Sequence, residues 1–187
     1  MKLKEAKVKV LSLIEELNPK SDLLTDDPDI SAKINHVISQ IQNELARIKK
    51  ILATTTEEVT SDEVFDLNTL DQFYQLKSIR FKNTSGEDST YEVIDNMVIF
   101  AENGTATIFY YKYPEMITDT AKDSYEFELS QDVLEIMPYG VAADLLKSDV
   151  STNYGKVYAE RYESMLQRLD PRYSIGGSII VEGGVDI

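Results

Sequence analysis

The sequence predicts an α+β fold: a helical bundle formed by N- and C-terminal helices, an inserted antiparallel β-meander and an extended C-terminal tail. Near both ends of the chain, apolar residues recur every three or four positions, which is the period of one helix face. Between them, short alternating or apolar runs are separated by turn residues, which is the pattern of strands. We therefore assign residues 1–52 and 130–171 to the bundle, 53–129 to the inserted β subdomain and 172–187 to the tail.

Two amphipathic helices are predicted in the first segment. The first covers residues 3–17. The second runs from about Pro28 to about Lys50, because Asp27 can cap free backbone amides and proline fits a first helical turn. Its apolar residues are spaced alternately by four and three, so they form a narrow stripe suited to packing along another helix. The stripe consists of Ile34, Ile38, Ile41, Leu45, Ile48 and Leu52, and we expect the first five to be buried against the last helix.

The central segment contains candidate strands at residues 64–67, 76–82, 91–94, 97–100, 105–113 and 125–129. Asp95-Asn96 and Asn103-Gly104 mark tight turns between neighbouring candidates. Consecutive strands joined by tight turns pair antiparallel and need no crossover helix. We therefore predict an antiparallel meander and not a parallel nucleotide-binding sheet.

Helical spacing returns after Ser130. Pro138 must break or restart this helix, because proline lacks an amide proton and clashes with the preceding turn. A last helix is predicted from about Thr152 to Leu169. Tyrosines cluster on this helix and on one predicted strand, where we expect them to pack in the core or at an interface. They are Tyr154, Tyr158 and Tyr162, and Tyr110, Tyr111 and Tyr113.

Composition excludes several classes of protein. The chain has no cysteine, which rules out disulfides and thiolate metal sites. It has no apolar run of signal length behind its N-terminus, and none near the roughly 20 residues that span a bilayer, so we expect no signal peptide and no membrane segment. Nineteen basic against 33 acidic residues leave a formal charge of −14. This charge argues against a protein that binds nucleic acid tightly, but it suits a surface past which DNA moves without adhering.

We predict no catalytic residue, no metal and no cofactor. The only histidine, His36, lies about 200° around its helix from Ile34 and from Ile38, so it should face solvent. The acidic run at residues 25–29 lacks the glycine and the terminal glutamate of a calcium loop, and the run at 119–123 fits a solvated turn. The glycine pairs precede no helix that could hold a phosphate.

Residues 174–187 form a β-prone segment that contains two Gly-Gly pairs. Because an exposed strand of this composition promotes aggregation, we predict that it adds a strand to another subunit or to a partner. The alternative is a last strand paired with the chain's own sheet. The predicted docking residues are Ile175, Ile179, Ile180, Val181, Val185 and Ile187, and the predicted hinges are Gly176, Gly177, Gly183 and Gly184.

Four stretches of the sequence together resemble the head-to-tail adaptor (connector) proteins of tailed bacteriophages. They are residues 109–114, 117–118, 129–146 and 158–166. In such adaptors a strand ending in Tyr-x-x-x-Pro leads through a short acidic loop to a second strand, to a helix with an Ala-x-x-Leu-Leu-like core, and to a tyrosine-containing final helix. The long β insertion is similar to that of the short-tailed type.

The resemblance implies a structural virion protein of the phage neck that is made in the host cytoplasm and is not an enzyme. Such adaptors form a ring of about twelve copies beneath a portal protein. They also contact a tail or nozzle protein and line a channel through which DNA passes without sequence-specific binding. We expect acidic side chains to be denser along that channel wall, where negative potential keeps DNA from adhering.

Two other classes of function stay open. One is another phage neck or tail assembly protein. The other is a small carbohydrate- or peptide-binding module or hydrolase, because 33 acidic residues allow many carboxylate pairs although no motif marks one. A deep pocket would favour the second class, whereas a ring-forming protein needs none.

Overall fold

The computed structural model describes residues 1–14, 28–61, 63–119, 121–147 and 153–169. Helices lie towards both ends of these residues and strands lie between them, which confirms the α+β prediction. The described residues divide into two compact units. A helical unit draws on those within 1–41, 118–126 and 130–187, and a β unit on those within 42–117 and 127–129.

The helical unit is organised around one central helix. In chain order its helices are α1 (Leu3–Leu13), the first part of α2 (Pro28–Ile48), α3 (Gln131–Leu134), α4 (Met137–Leu145) and α5 (Tyr154–Leu169). The central helix is α4, which packs against both α1 and α5. Pro138 lies in its first turn, where the missing amide proton costs no helical hydrogen bond. The predicted restart at Pro138 is therefore confirmed.

A glycine allows α5 to approach α4. Gly155 is buried, and a Cβ at this position would lie 2.7 Å from the carbonyl oxygen of Leu146. Tyr158 joins α5 to α1, because its hydroxyl donates a hydrogen bond of 2.9 Å to the carbonyl oxygen of Leu13. The last carbonyl groups of a helix lack partners within it, so this bond also caps α1.

Residues 123–126 contact the N-terminus of α1 instead of forming a strand. The amide of Leu3 donates to the carbonyl oxygen of Tyr125 at 2.9 Å, and the amide of Lys4 donates to that of Asp123 at 3.1 Å. First-turn amides have no acceptor inside their own helix. Here they donate to the carbonyl groups of residues 123 and 125, and the carbonyl group of residue 125 would otherwise accept hydrogen bonds in the predicted strand. The strand predicted at residues 125–129 is therefore wrong, and Glu126 forms only an isolated bridge with Lys2.

α2 buries most of its predicted apolar stripe. Ile34, Ile38, Ile41 and Leu45 are buried, and Ile48 is partly exposed. The close partner of α5 is α4 and not α2, because the backbone of α5 meets that of α4 at a glycine. The expected burial of the stripe is thus confirmed at four positions, whereas the expected packing against the last helix is not.

Polar side chains of α2 are buried as well. Asn35 donates from Nδ2 to the carbonyl oxygen of Thr118 at 3.2 Å, and Gln42 donates from Nε2 to that of Glu115 at 2.8 Å. Residues 113–118 belong to no helix or strand, and buried backbone groups need partners. α2 therefore holds this irregular segment in place through amide side chains.

The β unit contains two three-stranded sheets. Sheet 1 has the order β1 (Ile51–Val59), β6 (Gly104–Lys112), β3 (Phe73–Asn83), and sheet 2 has the order β2 (Val64–Asp66), β5 (Met97–Phe100), β4 (Tyr91–Ile94). Every neighbouring pair is antiparallel. A short 3₁₀ turn, Leu67–Thr69, follows β2.

The two sheets share one hydrophobic core. The rings of Phe81 in sheet 1 and Phe100 in sheet 2 lie 4.8 Å apart. Because side chains alternate along a strand, burying one face of each sheet leaves the other face outside the core. The buried cluster consists of Val59, Leu67, Ile79, Phe81, Val98, Phe100, Ala106, Ile108 and Tyr110.

The pairing order differs from the predicted meander. Only β4 and β5 pair as consecutive neighbours, whereas β6 pairs with β1 and β3 and not with β5. β1 is missing from the predicted strands, because residues such as Thr55 and Glu57 on its inner side show no apolar alternation. An edge strand pairs on one side only, so it can be built from polar residues with little burial.

Replacing a core residue should destabilise the β unit, and its neighbour on the same strand provides the control. Phe100→Ala removes a ring that is 1% exposed, and we expect the free energy of unfolding to fall by about 3–5 kcal/mol. Ile99→Ala should cost much less, because Ile99 points away from the core and is 36% exposed. Denaturant titration followed by circular dichroism measures both variants. Equal losses would contradict the assignment of the two faces.

Gly155→Ala tests the close approach of α5 to α4. Alanine favours a helix over glycine by about 0.5–1 kcal/mol, so without a close neighbour the variant would be more stable. Because the new Cβ would meet the Leu146 backbone, we instead expect a loss of about 1–3 kcal/mol. The control is Lys156→Ala, at an exposed position of the same helix. A thermal melt that shows stabilisation by Gly155→Ala would refute this contact.

Candidate interaction surfaces

The predicted docking tail lies outside the described residues. This concerns all six docking positions and all four hinges. Their assignment stays a prediction from sequence. They are Ile175, Ile179, Ile180, Val181, Val185, Ile187, Gly176, Gly177, Gly183 and Gly184.

His36 and the acidic run at 119–123 are two of the candidates for a chemical site, and Asp123 of this run takes part in a structural contact. His36 is exposed, as predicted, and its Nε2 lies 3.1 Å from Nε2 of Gln40. In the acidic run at 119–123, Asp123 pairs with the buried ammonium group of Lys7 at 3.3 Å. Lys7 also donates to the hydroxyl of Ser31 at 3.4 Å, so it ties α1, α2 and this loop together. A buried ammonium group needs such partners.

The outer face of sheet 2 carries exposed apolar side chains. Cross-strand pairing places Val64 beside Ile99 and Ile94 beside Met97, so the four form one contiguous patch. They are 36–56% exposed. Two acids, Asp66 and Glu92, complete the face at opposite corners. A contiguous exposed apolar patch on a folded unit is a candidate interaction site. The outer face of sheet 2 comprises Val64, Asp66, Glu92, Ile94, Met97 and Ile99.

The outer face of sheet 1 combines aromatic rings with cations. Lys50 lies over the ring of Tyr111 at 4.8 Å, and Lys77 lies over the same ring at 6.0 Å. Arg80 lies over the ring of Phe109 at 5.4 Å. Such cation–π contacts hold the side chains in place but leave their charge uncompensated. The outer face of sheet 1 comprises Lys50, Leu52, Lys77, Ser78, Arg80, Lys82, Phe109 and Tyr111, with Thr54, Thr56, Glu58, Thr105 and Thr107.

The cations of this face have no acidic partner among the described residues. The ion pairs among the described residues of the β unit involve Lys112 and none of Lys50, Lys77, Arg80 or Lys82. Two acids lie near this face in register. Asp88 is opposite Lys82 in an isolated bridge, and Glu58 accepts a hydrogen bond from the hydroxyl of Thr105. Lys77, Arg80 and Lys82 lie on β3, whereas Lys50 is distant along the chain and joins them only in the folded sheet. On a chain of charge −14 this face is locally positive.

The two edges of sheet 1 differ in regularity. β3 has register shifts between Phe73 and Gln75 and between Leu76 and Ser78. β1 pairs with β6 over nine consecutive residues without a shift. Bulges hinder the addition of a further strand, whereas a straight edge accepts one. Of the two edges of sheet 1, β1 is therefore the better acceptor for an added strand.

The helical unit contains an open groove of about 550 Å³. α1 contributes Val8 and Leu13, α4 contributes Pro138 and Tyr139, and α5 contributes Met165. Arg161 lies over the ring of Tyr139 at 4.5 Å. The groove is mainly apolar, and it is large enough for a few side chains of a partner.

A small ionic cluster closes one end of sheet 1. The ammonium group of Lys112 contacts Glu128 at 2.5 Å and Asp71 at 3.8 Å. The pKa of Lys112 is raised above its ordinary value of 10.5, chiefly by the hydrogen bond to Glu128, although burial alone would lower this pKa. Burial also raises the pKa of the neighbouring Tyr110 hydroxyl. This cluster joins residue 128 to the end of β6 and has a structural role.

The Lys112 cluster should contribute stability at neutral pH. A raised lysine pKa stabilises the folded state fully below the unfolded pKa, and this contribution is lost as the pH rises through the folded value. We expect Glu128→Gln to lower the free energy of unfolding by about 0.5–1 kcal/mol near neutral pH. The difference should shrink in strongly alkaline solution. Glu126→Gln is the control, because its contact with Lys2 is long and exposed. Identical effects in denaturant titrations would contradict the special position of Glu128.

Neither a protein-family model nor a curated protein sequence matches this chain. Within the part of the chain that the structure describes, no helix combines the length and apolarity needed to cross a membrane. Among the same residues, no three His, Cys, Asp or Glu side chains come together in a group that could hold a metal ion.

Proposed function

We propose that this protein is a structural assembly component and, more specifically, a head-to-tail adaptor of a tailed bacteriophage. In this role, about twelve copies form a ring in the virion neck beneath a portal protein and above a tail or nozzle protein. DNA passes through the ring without sequence-specific binding. The protein acts by docking on other chains and carries out no reaction.

The observation that carries this proposal is the outer face of sheet 2. Met97 is 41% exposed and Ile94 is 50% exposed, although each lies beside another apolar side chain. Leaving such a patch in water costs about 25 cal/mol for each Å² of apolar surface. An assembly partner that covers the patch recovers this free energy, which is the main driving force of most protein association.

The stretches that resemble the adaptors also support the proposal. The segment 109–114 contains the end of β6 and leads to a buried proline, Pro114. The segment 129–146 contains α3 and α4, and 158–166 lies within α5. α4 and α5 pack against each other, which suits a shared role in one helical body.

The predicted tail supplies a second means of docking. Main-chain hydrogen bonds to an added strand give affinity, and alternate side chains give fit. The regular edge of β1 in a neighbouring copy is a suitable acceptor. The acidic surplus keeps DNA from adhering in general, and we expect acids to be denser on the channel wall.

The groove of the helical unit is the observation that favours a small peptide-binding module instead. Its apolar lining and its volume of about 550 Å³ would accept a few side chains. Titration with a peptide library, followed by NMR of the methyl groups of Val8 and Met165, distinguishes this function. Saturable shifts without any assembly would favour the module over the adaptor.

The mass of the assembly tests the proposed function. We expect the protein to add to a portal ring in an integral number of copies, visible by native mass spectrometry and as an extra layer in electron microscopy. The control is the portal alone under identical conditions. Binding to a tail protein but not to any portal would favour another neck or tail component. Failure to bind either would refute the proposal.

Deleting the residues after Pro171 tests the tail. We expect the shortened chain to keep its circular dichroism spectrum and its melting temperature, because the described residues of both units end at residue 169. Assembly on the partner should be lost. A matched variant replaces Ile179, Ile180 and Val181 by serine and keeps the length of the chain. Normal assembly of both variants would show that the tail does not dock.

A further inference from the structure

We propose that the outer faces of the two sheets are complementary, and that sheet 2 of one copy of this chain docks on sheet 1 of the next copy. This inference rests on the proposed function only in that both require copies to associate. It assigns the contact to two specific surfaces of the β unit.

Both outer faces carry apolar side chains that the β unit itself leaves exposed. On sheet 2 they form the patch around Met97 and Ile99. On sheet 1, Leu52, near the start of the edge strand β1, is 50% exposed and pairs in register with Tyr111. Docking these side chains on one another would remove them from water, which is the favourable part of association.

The outer faces of the two sheets carry opposite charges. The three strands of sheet 2 contain no lysine or arginine, and its outer face carries Asp66 and Glu92. The outer face of sheet 1 carries four cations without acidic partners among the described residues. Potentials of opposite sign favour the correct pairing and disfavour each face pairing with itself. The fit therefore predicts contact between unlike faces.

Because the two outer faces lie on opposite sides of the β unit, the proposed contact can repeat from copy to copy. The inner sides of both sheets pack into one core, so the two outer faces point in opposite directions from it. Each copy consequently offers one face of each kind. A contact between unlike faces is heterologous, and it extends from copy to copy into a ring or a chain.

The occupant favoured by these observations is a second copy and not a nucleic acid. A polyanion would meet the cations of sheet 1, but the chain as a whole carries a charge of −14 that repels phosphate. A phosphate backbone would also leave Leu52 and the apolar patch of sheet 2 uncovered. A second copy satisfies both the charges and the apolar surface.

The contact should be weak between two free copies. Strands about 4.8 Å apart that rise about 3.3 Å per residue make the outer face of sheet 2 only some 15 Å on a side. A standard interface buries about 800 Å² on each partner, which is more than this patch offers. Stable assembly therefore needs several such contacts together, as in a ring built on a template.

Two blocked variants test the pairing of unlike faces. Met97→Lys introduces a cation on sheet 2, and the double change Lys77→Glu with Arg80→Glu reverses the charge of sheet 1. Sedimentation equilibrium over a wide range of concentrations should show that the unmodified protein self-associates. The association constant of each variant should be lower by a factor of about ten or more. An equimolar mixture of the two variants retains one unaltered pair of unlike faces, so the mixture should associate more strongly than either variant alone.

Controls keep this experiment decisive. Lys33→Glu reverses one charge at an exposed position of α2 and should leave association unchanged. If Met97→Lys does not fold, Glu92→Lys blocks the same face at an exposed position. Because the chain has no cysteine, single cysteines at Met97 and Ser78 provide a second readout. A short thiol crosslinker should join the mixture of these two variants far more than either alone.

Several outcomes would overturn the inference, and comparison with portal binding separates it from the proposed function. Association that survives the block of sheet 1 would mean that sheet 2 pairs with itself. Crosslinking of Met97→Cys to itself would mean the same. An unmodified protein that stays monomeric but binds a single-stranded oligonucleotide through Arg80 would make sheet 1 a nucleic-acid surface. If both blocked variants still assemble on a portal, the proposed function holds and this contact fails. If the mixture of variants associates without portal binding, the contact holds and the proposed function fails.

Discussion

The contact between Phe81 and Phe100, at 4.8 Å between ring centroids, joins the two sheets of the β unit. Neither sheet could bury its apolar side alone, since each has three strands and those of sheet 2 contain only three or four residues. Small isolated sheets are marginal in water. Packing the two inner faces together buries the apolar side of both sheets, so the stability of the unit depends on the shared core.

That constraint also determines what is left outside. Once Val98 and Phe100 are buried, the pleat places Met97 and Ile99 on the outer side. In sheet 1, burial of Ile108 and Tyr110 similarly places Phe109 and Tyr111 outside. The outer faces are therefore a direct consequence of the core. Their opposite charges are an additional property of these strands, and they are what gives the unit two distinct surfaces.

The helical unit follows a different rule, in which backbone groups without partners decide the contacts. The first-turn amides of α1 bond to carbonyl groups of residues 123 and 125, and the last turn of α1 receives the hydroxyl of Tyr158. α2 uses the side chains of Asn35 and Gln42 to hold an irregular segment. A helix end or an irregular strand-like segment costs free energy unless such bonds form. These bonds explain why residues 125–129 do not form the predicted strand.

The sequence by itself determined the helices and most strands, because the periods of 3.6 and two residues and the turn at Asp95-Asn96 are local properties. It also determined that Pro138 restarts a helix and that His36 faces solvent. Only the tertiary structure decided that β6 pairs with β1 and β3, since the partner of a strand depends on a core assembled from distant segments. The basic face was hidden for the same reason. Lys50 is separated from Lys77 along the chain, and the spacing of Lys77, Arg80 and Lys82 shows a shared face only once the bulges of β3 are known. Charge along a sequence adds up to −14, but its distribution over a surface exists only after strands from different parts of the chain lie side by side.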